Sequence, residues 1–115
     1  SPLHMFERTA TSETVIGETT VLVGQKVVAM LGSANRDEEV FENTDQFDIT
    51  RKHNPHIAFG AGIHFCIGAP LARLEIQNSL PMMFERFPNL QLAGTPVQRP
   101  TFVLRGWETI PANNG

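Results

Sequence analysis

Cys66 is the one cysteine of the chain, and it lies in a glycine-rich segment, residues 59–73, with the sequence FGAGIHFCIGAPLAR. A single cysteine excludes an intrachain disulfide, so this residue acts as a small buried hydrophobe, a nucleophile or a metal ligand. Pro70 suits the first position of a helix. The free amides and positive dipole end of a helix N-terminus favour an anion such as a thiolate. This placement favours a thiolate ligand.

The residues around Cys66 are those that a rigidly held thiolate beside a flat cofactor requires. Gly60, Gly62 and Gly68 allow close backbone approach and φ values that are closed to other residues. His64 can donate to a carboxylate, although a simple hydrogen bond within the loop is an open alternative. Zinc is poorly supported, since structural zinc sites need several ligands at short spacing. The four histidines are scattered along the chain: His4, His53, His56 and His64.

The segment resembles the haem-binding signature F-x-x-G-x-x-x-C-x-G of the cytochrome P450 family, with Phe59, Gly62, Cys66 and Gly68 at the fixed positions. The resemblance extends over nearly the whole chain. Residues 1–11 are similar to the segment after the E-x-x-R helix of the family. Asn-Arg-Asp at 35–37, Phe-Asp at 47–48 and Leu-Ala-Arg at 71–73 are typical of bacterial members, and residues 104–111 resemble the C-terminal substrate-side hairpin.

The resemblance implies a haem b cofactor, iron protoporphyrin IX, with Cys66 as the catalytic axial ligand of the iron. The residues that it assigns to haem are Arg8, Phe59, Gly60, His64, Cys66, Gly68 and Ala72. The residues that it assigns to the substrate side are Leu3, His4, Met5, Val103 and Leu104. By the same resemblance, residues 1–115 form an incomplete C-terminal, haem-ligating portion of a cytochrome P450 domain, without the E-x-x-R residues and the distal helix.

The resemblance also gives most of these residues a role. Arg8 and His64 bind the haem propionates, and Phe59 packs beside the sulfur. The Gly68 amide donates a hydrogen bond to the sulfur, and Ala72 touches the porphyrin face. Each role has a plainer alternative. An arginine on the surface often pairs with a nearby acid, here Glu7 or Glu13. The apolar residues on the substrate side are equally expected as ordinary core.

The implied activity is that of a haem-thiolate monooxygenase, which inserts one oxygen atom of O2 into a small apolar substrate. Electrons come ultimately from NAD(P)H through redox partners, with a ferredoxin-type protein as the donor. Two alternatives stay open: a truncated, non-catalytic haem-binding or interaction module, and an inactive remnant. For the isolated chain we expect weak haem binding and no turnover, because half of the haem pocket is missing.

Composition is ordinary for a soluble globular protein, and we predict a cytoplasmic location. The formal charge of −3 gives no basis for nucleic-acid binding, which needs a basic surface. No apolar run reaches the length of a membrane-spanning segment. Charge is unevenly spread, since residues 36–48 contain six acids and residues 51–73 contain none. The second stretch contains Arg51, Lys52 and Arg73, which by the resemblance border the face where an acidic ferredoxin would dock. An ordinary solvated surface is the open alternative.

The elements that must position these residues belong to an α+β fragment of a mainly α parent fold. Residues 14–31 are rich in Thr and Val and are interrupted by glycines that suit turns, which predicts hairpins, although 27–31 could equally begin a helix. Residues 43–65 form a long irregular ligand loop. Apolar residues at spacings of three and four predict a helix over 70–87, with a kink or local repair at Pro81. A short strand at 90–92 and a hairpin at 101–110 complete the prediction.

Overall fold

The computed structural model describes residues 2–115 and consists of two compact units. The first contains the chain up to Ala58 together with residues 102–104, and the second contains residues 59–101 and 105–115. Segment 102–104 therefore belongs with the N-terminal part of the chain, although its neighbours on both sides belong to the other unit.

The first unit is built on two antiparallel strand pairs. The strand β1 (Phe6–Thr9) pairs with β4 (Lys26–Ala29), so that Arg8 lies opposite Val27. The strands β2 (Thr14–Ile16) and β3 (Thr19–Val21) form a hairpin whose turn contains Gly17 at φ +59°. The predicted hairpin is confirmed for residues 14–21, whereas β4 pairs with β1 and not with β3. Segment 27–31 divides between the end of β4 and the start of the short helix α1 (Leu31–Ala34).

Side chains hold the irregular loop that follows α1. The Asn35 side-chain oxygen accepts a hydrogen bond from the Ile57 amide at 2.8 Å, which ties together two points that are distant in sequence. The Arg51 guanidinium donates to the carbonyl oxygens of Glu42 at 2.6 Å and Asn43 at 3.4 Å. In a segment without strand pairing, such bonds satisfy backbone groups that would otherwise lack partners.

The second unit contains the long helix α2 (Ala69–Arg86), close to the predicted 70–87. Helix α2 continues through Pro81 without a break, although proline has no N–H to donate at that position. Two short pairs follow: β5 (Gln91–Leu92) with β8 (Ala112–Asn113), and β6 (Val97–Gln98) with β7 (Trp107–Thr109). The C-terminal hairpin is present, but its first strand begins at residue 97 rather than 101, and residues 99–106 form its connection.

Little apolar surface is buried in either unit. Among residues 2–115, the buried apolar side chains are Val21, Leu31, Phe41 and Ala69. Leu71 and Leu74 lie outside the predicted apolar face of α2 and are 60% and 57% exposed. The face itself is also mostly exposed, and its residues are Ala72, Ile76, Leu80, Met83, Phe84 and Phe87. A helix that is apolar on several faces is typical of the interior of a larger protein. Within the described residues, no helix combines the length and hydropathy needed to cross a membrane.

Candidate functional site

The loop before Cys66 is closed by a backbone hydrogen bond across the signature. The Cys66 amide donates to the Phe59 carbonyl oxygen at 2.9 Å, and a short 3-10 helix, Gly62–His64, lies between them. Gly60 and Gly62 have φ values of +75° and +61°, in the left-handed region that favours glycine. The two glycines therefore allow the chain to double back and present the cysteine just before α2.

Cys66 is exposed, and its sulfur lies beside Gly68, which has no side chain. A Cβ placed on Gly68 would lie 3.8 Å from the sulfur, so the glycine leaves open space beside it. The Cys66 carbonyl oxygen accepts from the amide of Ala69, which is completely buried at the start of α2. The Gly68 amide donates to no acceptor within residues 2–115. It remains available, and its bond to the sulfur stays a prediction.

Phe59 contacts two neighbouring side chains, those of Arg73 and Phe65. The Arg73 guanidinium carbon lies 5.0 Å from the centre of the Phe59 ring, and the Phe65 ring lies 6.4 Å away in a tilted arrangement. Arg73 follows Ala69 by one helical turn, so both lie on the helix face beside the loop.

His64 and Ala72 lie in the same unit as Cys66. The His64 side chain is exposed, and nothing in residues 2–115 hydrogen-bonds to it, so its ring nitrogens are available to a ligand. The Ala72 amide donates to the Gly68 carbonyl oxygen at 2.9 Å, which extends the first turn of α2. Ala72 itself is half-buried. The unit thus contains six of the seven predicted haem-contacting residues.

The seventh, Arg8, lies on β1 in the other unit. Its guanidinium donates to the Glu7 carbonyl oxygen at 2.8 Å and packs over the Phe6 ring at 5.3 Å. The Glu7 carboxylate pairs instead with Lys26 at 2.8 Å, and its hydrogen bond and charge raise the pKa of Lys26. Within the described residues Arg8 has no ion pair, so the alternative of a Glu7 or Glu13 partner is not realised.

The predicted substrate-side residues come from two distant parts of the chain, and the first unit brings four of them together. Leu3 and Leu104 form an isolated antiparallel bridge, and the His4 amide donates to the Val103 carbonyl oxygen at 2.9 Å. Met5 follows directly and is half-buried. Two segments about a hundred residues apart in sequence thus become neighbours.

The geometry around Cys66 fits a cofactor that is bound through one thiolate. The sulfur is exposed, a glycine adjoins it, and an unengaged amide lies two residues later. Ile63 and Ile67 beside it are 97% and 99% exposed, which gives apolar surface for a flat apolar ligand. No group of three or more His, Cys, Asp or Glu side chains in residues 2–115 is arranged to hold a metal ion.

Comparison with known proteins identifies the family. The family model for cytochrome P450 matches residues 1–104. The chain belongs to the cytochrome P450 family. Nocardicin C N-oxygenase of Nocardia uniformis subsp. tsuyamanensis is 50% identical over 95 residues, which cover 83% of this chain and 24% of that protein. The biotin biosynthesis cytochrome P450 of Bacillus subtilis is 44% identical over 112 residues, which cover 96% of this chain and 28% of that protein.

Solved cytochrome P450 structures contain the same fold over this region. P450BioI, in complex with an acyl carrier protein ligated to hexadec-9Z-enoic acid, superposes with a TM-score of 0.95 and 43% identity over 100% of this chain. CYP109E1 of Bacillus megaterium, in complex with testosterone, gives a TM-score of 0.94 and 34% identity over 99% of it. The chain spans 30% and 32% of these two proteins, respectively. The match confirms the predicted family and the α+β character of the segment.

Proposed function

We propose that residues 1–115 form the C-terminal, haem-ligating portion of a haem-thiolate monooxygenase, with Cys66 as the axial ligand. The observation that carries this proposal is the exposed Cys66 thiol on a loop closed by its own amide and the Phe59 carbonyl oxygen. Membership of the cytochrome P450 family supports haem as the cofactor. When bound, haem b supplies the iron chemistry for oxygen activation, and thiolate donation favours O–O cleavage.

The residues of the chain would hold and tune this ligand. The loop bond to Phe59 fixes the backbone that carries the sulfur. The free Gly68 amide is suited to donate to the thiolate, which would limit its electron donation. Gly60 shapes the loop, and Ala72 offers a small side chain to the porphyrin face. Arg8 and His64 are cationic or hydrogen-bonding groups that suit the two propionates, since a guanidinium and an imidazole both donate to carboxylates.

We further propose a small apolar substrate beside Leu3, His4, Met5, Val103 and Leu104. Apolar pockets with few polar groups are typical of small-molecule sites. The names of the relatives are consistent with varied substrates, from nocardicin C to a steroid, so this segment does not define one. Electrons are proposed to come from NAD(P)H through a ferredoxin-type donor, in a cytoplasmic enzyme.

Carbon monoxide difference spectroscopy of the reduced, haem-loaded protein tests the ligand assignment. The full-length protein that carries this segment should give the red-shifted band of a thiolate-ligated carbonmonoxy haem. Cys66→Ser should lose that band, because an alcohol is a far weaker ligand than a thiolate. His64→Ala is the matched control and should keep it, since His64 is not the proposed axial ligand. A thiolate-type band that persists in Cys66→Ser would refute the assignment.

A second measurement concerns the chain alone. Residues 1–115 expressed by themselves should bind haem weakly and form no product, because so much apolar surface that other parts of the fold would cover is exposed. A haem titration followed by absorbance, with a product assay, checks this expectation. Stoichiometric haem with turnover would show that the segment is sufficient by itself.

A further inference from the structure

Arg73 reaches from α2 back to the ligand loop. It lies in the second turn of the helix, where side chains lean toward the helix N-terminus and therefore toward the loop. Its guanidinium carbon lies 5.0 Å from the centre of the Phe59 ring, which is within the range of a cation–π contact. The loop from Phe59 to Cys66 and the helix that carries Arg73 belong to the same compact unit, so the whole contact lies within the second unit.

The Arg73 side chain has no other partner among residues 2–115. It is exposed, and within these residues it makes no ion pair and donates no hydrogen bond. Other arginines of the chain are engaged differently, since Arg36 pairs with Asp45 and Arg51 donates to carbonyl oxygens. The Phe59 ring is therefore the group on which the Arg73 side chain acts.

The backbone of Phe59 is fixed by the loop, whereas the direction of its ring depends on side-chain contacts. The hydrogen bond from the Cys66 amide at 2.9 Å holds the Phe59 carbonyl group, but it leaves the side-chain torsions free to choose among rotamers. The residue is half-buried, and its ring lies 6.4 Å from that of Phe65. Because the Arg73 guanidinium lies over the ring, it favours the rotamer in which the ring stays beside the loop.

We propose that Arg73 is a positioning residue, which holds the Phe59 ring beside the Cys66 sulfur and keeps water away from that sulfur. The inference rests on the proposed function, in which Cys66 ligates the haem iron, and on the place beside the sulfur that the resemblance gives to Phe59. The apolar surroundings of a metal ligand control solvent access and thereby the reduction potential. A displaced ring lets water donate hydrogen bonds to the thiolate, which weakens its electron donation and favours the reduced iron.

The charge of Arg73, acting alone, has the opposite effect. A positive charge near the iron favours the added electron, so the loss of that charge favours the oxidised form. Because Arg73 is exposed, this effect is screened and fades near 1 M salt, where the Debye length is about 3 Å. Displacement of the ring is not screened by salt. The sign of the change at high salt therefore distinguishes a positioning role from a simple charge effect.

Spectroelectrochemical titration of the haem-loaded, full-length protein near 1 M salt measures the ratio of reduced to oxidised haem at a fixed potential. We expect Arg73→Met to raise this ratio about threefold, the size of an exposed cation–π contact. In a Phe59→Leu background the same substitution should change the ratio less than about 1.5-fold, because no ring remains to be positioned. Arg86→Met is the matched control, since Arg86 lies over Phe87 at 5.8 Å but at the far end of α2, and it should also change the ratio less than about 1.5-fold.

An unchanged or lowered ratio in Arg73→Met would overturn the positioning role. An equal change in the Phe59→Leu background, or in Arg86→Met, would overturn it as well. Arg73→Gln and Phe59→Met replace any of these variants that does not load haem, since Gln also removes the charge and Met also removes the ring. A wild-type protein without the thiolate-type carbon monoxide band would refute the proposed function itself, and the positioning role with it.

Discussion

The Cys66 amide and the Phe59 carbonyl oxygen form a hydrogen bond of 2.9 Å that closes the ligand loop. This backbone bond joins the residue that contributes the aromatic ring of the signature to the residue that contributes the sulfur. Between them the chain reverses through two glycines and one turn of 3-10 helix. The position of the thiol thus depends on backbone geometry that only a few residue types permit.

Alanine at Gly60 should destabilise the protein more than alanine at Gly62. Both positions have positive φ, where a Cβ costs about 1 kcal/mol or more. At Gly60 the added Cβ would also lie 3.3 Å from the His64 carbonyl oxygen, whereas at Gly62 nothing lies within 4 Å. The free energy of unfolding, from urea titration of the full-length protein, measures the difference.

Gly68→Ala is the matched control for these two variants. Gly68 has φ −82°, an ordinary value, so alanine should change the free energy of unfolding by less than about 0.5 kcal/mol. The new methyl group would touch the sulfur at 3.8 Å and should shift the haem absorbance instead. Equal losses of stability for Gly60→Ala and Gly68→Ala would contradict the role of positive φ.

The two prolines of α2 should respond to alanine with opposite signs. Pro81 lies inside the helix, where proline costs about 3 kcal/mol, offset by roughly 1 kcal/mol of lost freedom in the unfolded chain. Pro81→Ala should therefore stabilise the protein by about 2 kcal/mol. Pro70 lies in the first turn, where the missing N–H is no loss, so Pro70→Ala should destabilise by about 0.4–1 kcal/mol. Thermal or urea unfolding distinguishes the two, and a loss of stability in Pro81→Ala would contradict this account.

The sequence alone was sufficient to predict the family, the position of α2 and the single hairpin of residues 14–21. These features depend on local signals: proline at a helix start, spacings of three and four, and β-branched residues beside Gly17. The fixed residues around Cys66 likewise lie close together in sequence. Local patterns of this kind are visible without knowledge of the tertiary contacts.

Contacts between distant segments were not predictable in the same way. Nothing in the sequence indicates that Arg73 covers Phe59 or that Asn35 binds the Ile57 amide. The strand β1 was missed because it pairs with β4 only across the β2–β3 hairpin. The sequence predicts one apolar face on α2, but whether that face is buried depends on what packs against the helix, and the helix sequence does not specify that.

Asp48 provides a pH-dependent prediction in the irregular loop. The Thr50 hydroxyl donates to its carboxylate at 2.6 Å and the Thr50 amide at 2.7 Å, which hold the pKa of Asp48 below its ordinary value of 3.8. Because the pKa of Asp48 is lower in the folded chain, its ionised carboxylate stabilises the turn at pH values above the ordinary pKa. This stabilisation is lost as the pH falls through the lowered pKa. Thr50→Val should raise the Asp48 pKa, as measured by NMR titration of the carboxyl carbon. Thr50→Ser keeps the hydroxyl and should leave it low, and an unchanged pKa in Thr50→Val would contradict the assignment.

Lys52 is the best residue with which to test the proposed docking of an acidic electron donor. Of the three bases in residues 51–73, Arg51 is bound to two carbonyl oxygens and Arg73 covers Phe59, so charge reversal at either would also disturb the loop. Lys52 is exposed and makes no hydrogen bond or ion pair within residues 2–115. Lys52→Glu therefore changes charge with little change in structure.

We expect Lys52→Glu to slow reduction of the full-length protein by a ferredoxin about fivefold at low salt, because like charges oppose the encounter. The difference should largely disappear near 1 M salt, where the Debye length falls to about 3 Å. Stopped-flow reduction measures both rates, and Arg105→Glu is the control for charge reversal at an exposed base outside residues 51–73. If Lys52→Glu and Arg105→Glu slow reduction equally, net charge and not a local docking surface governs the rate. If neither does, the donor docks elsewhere.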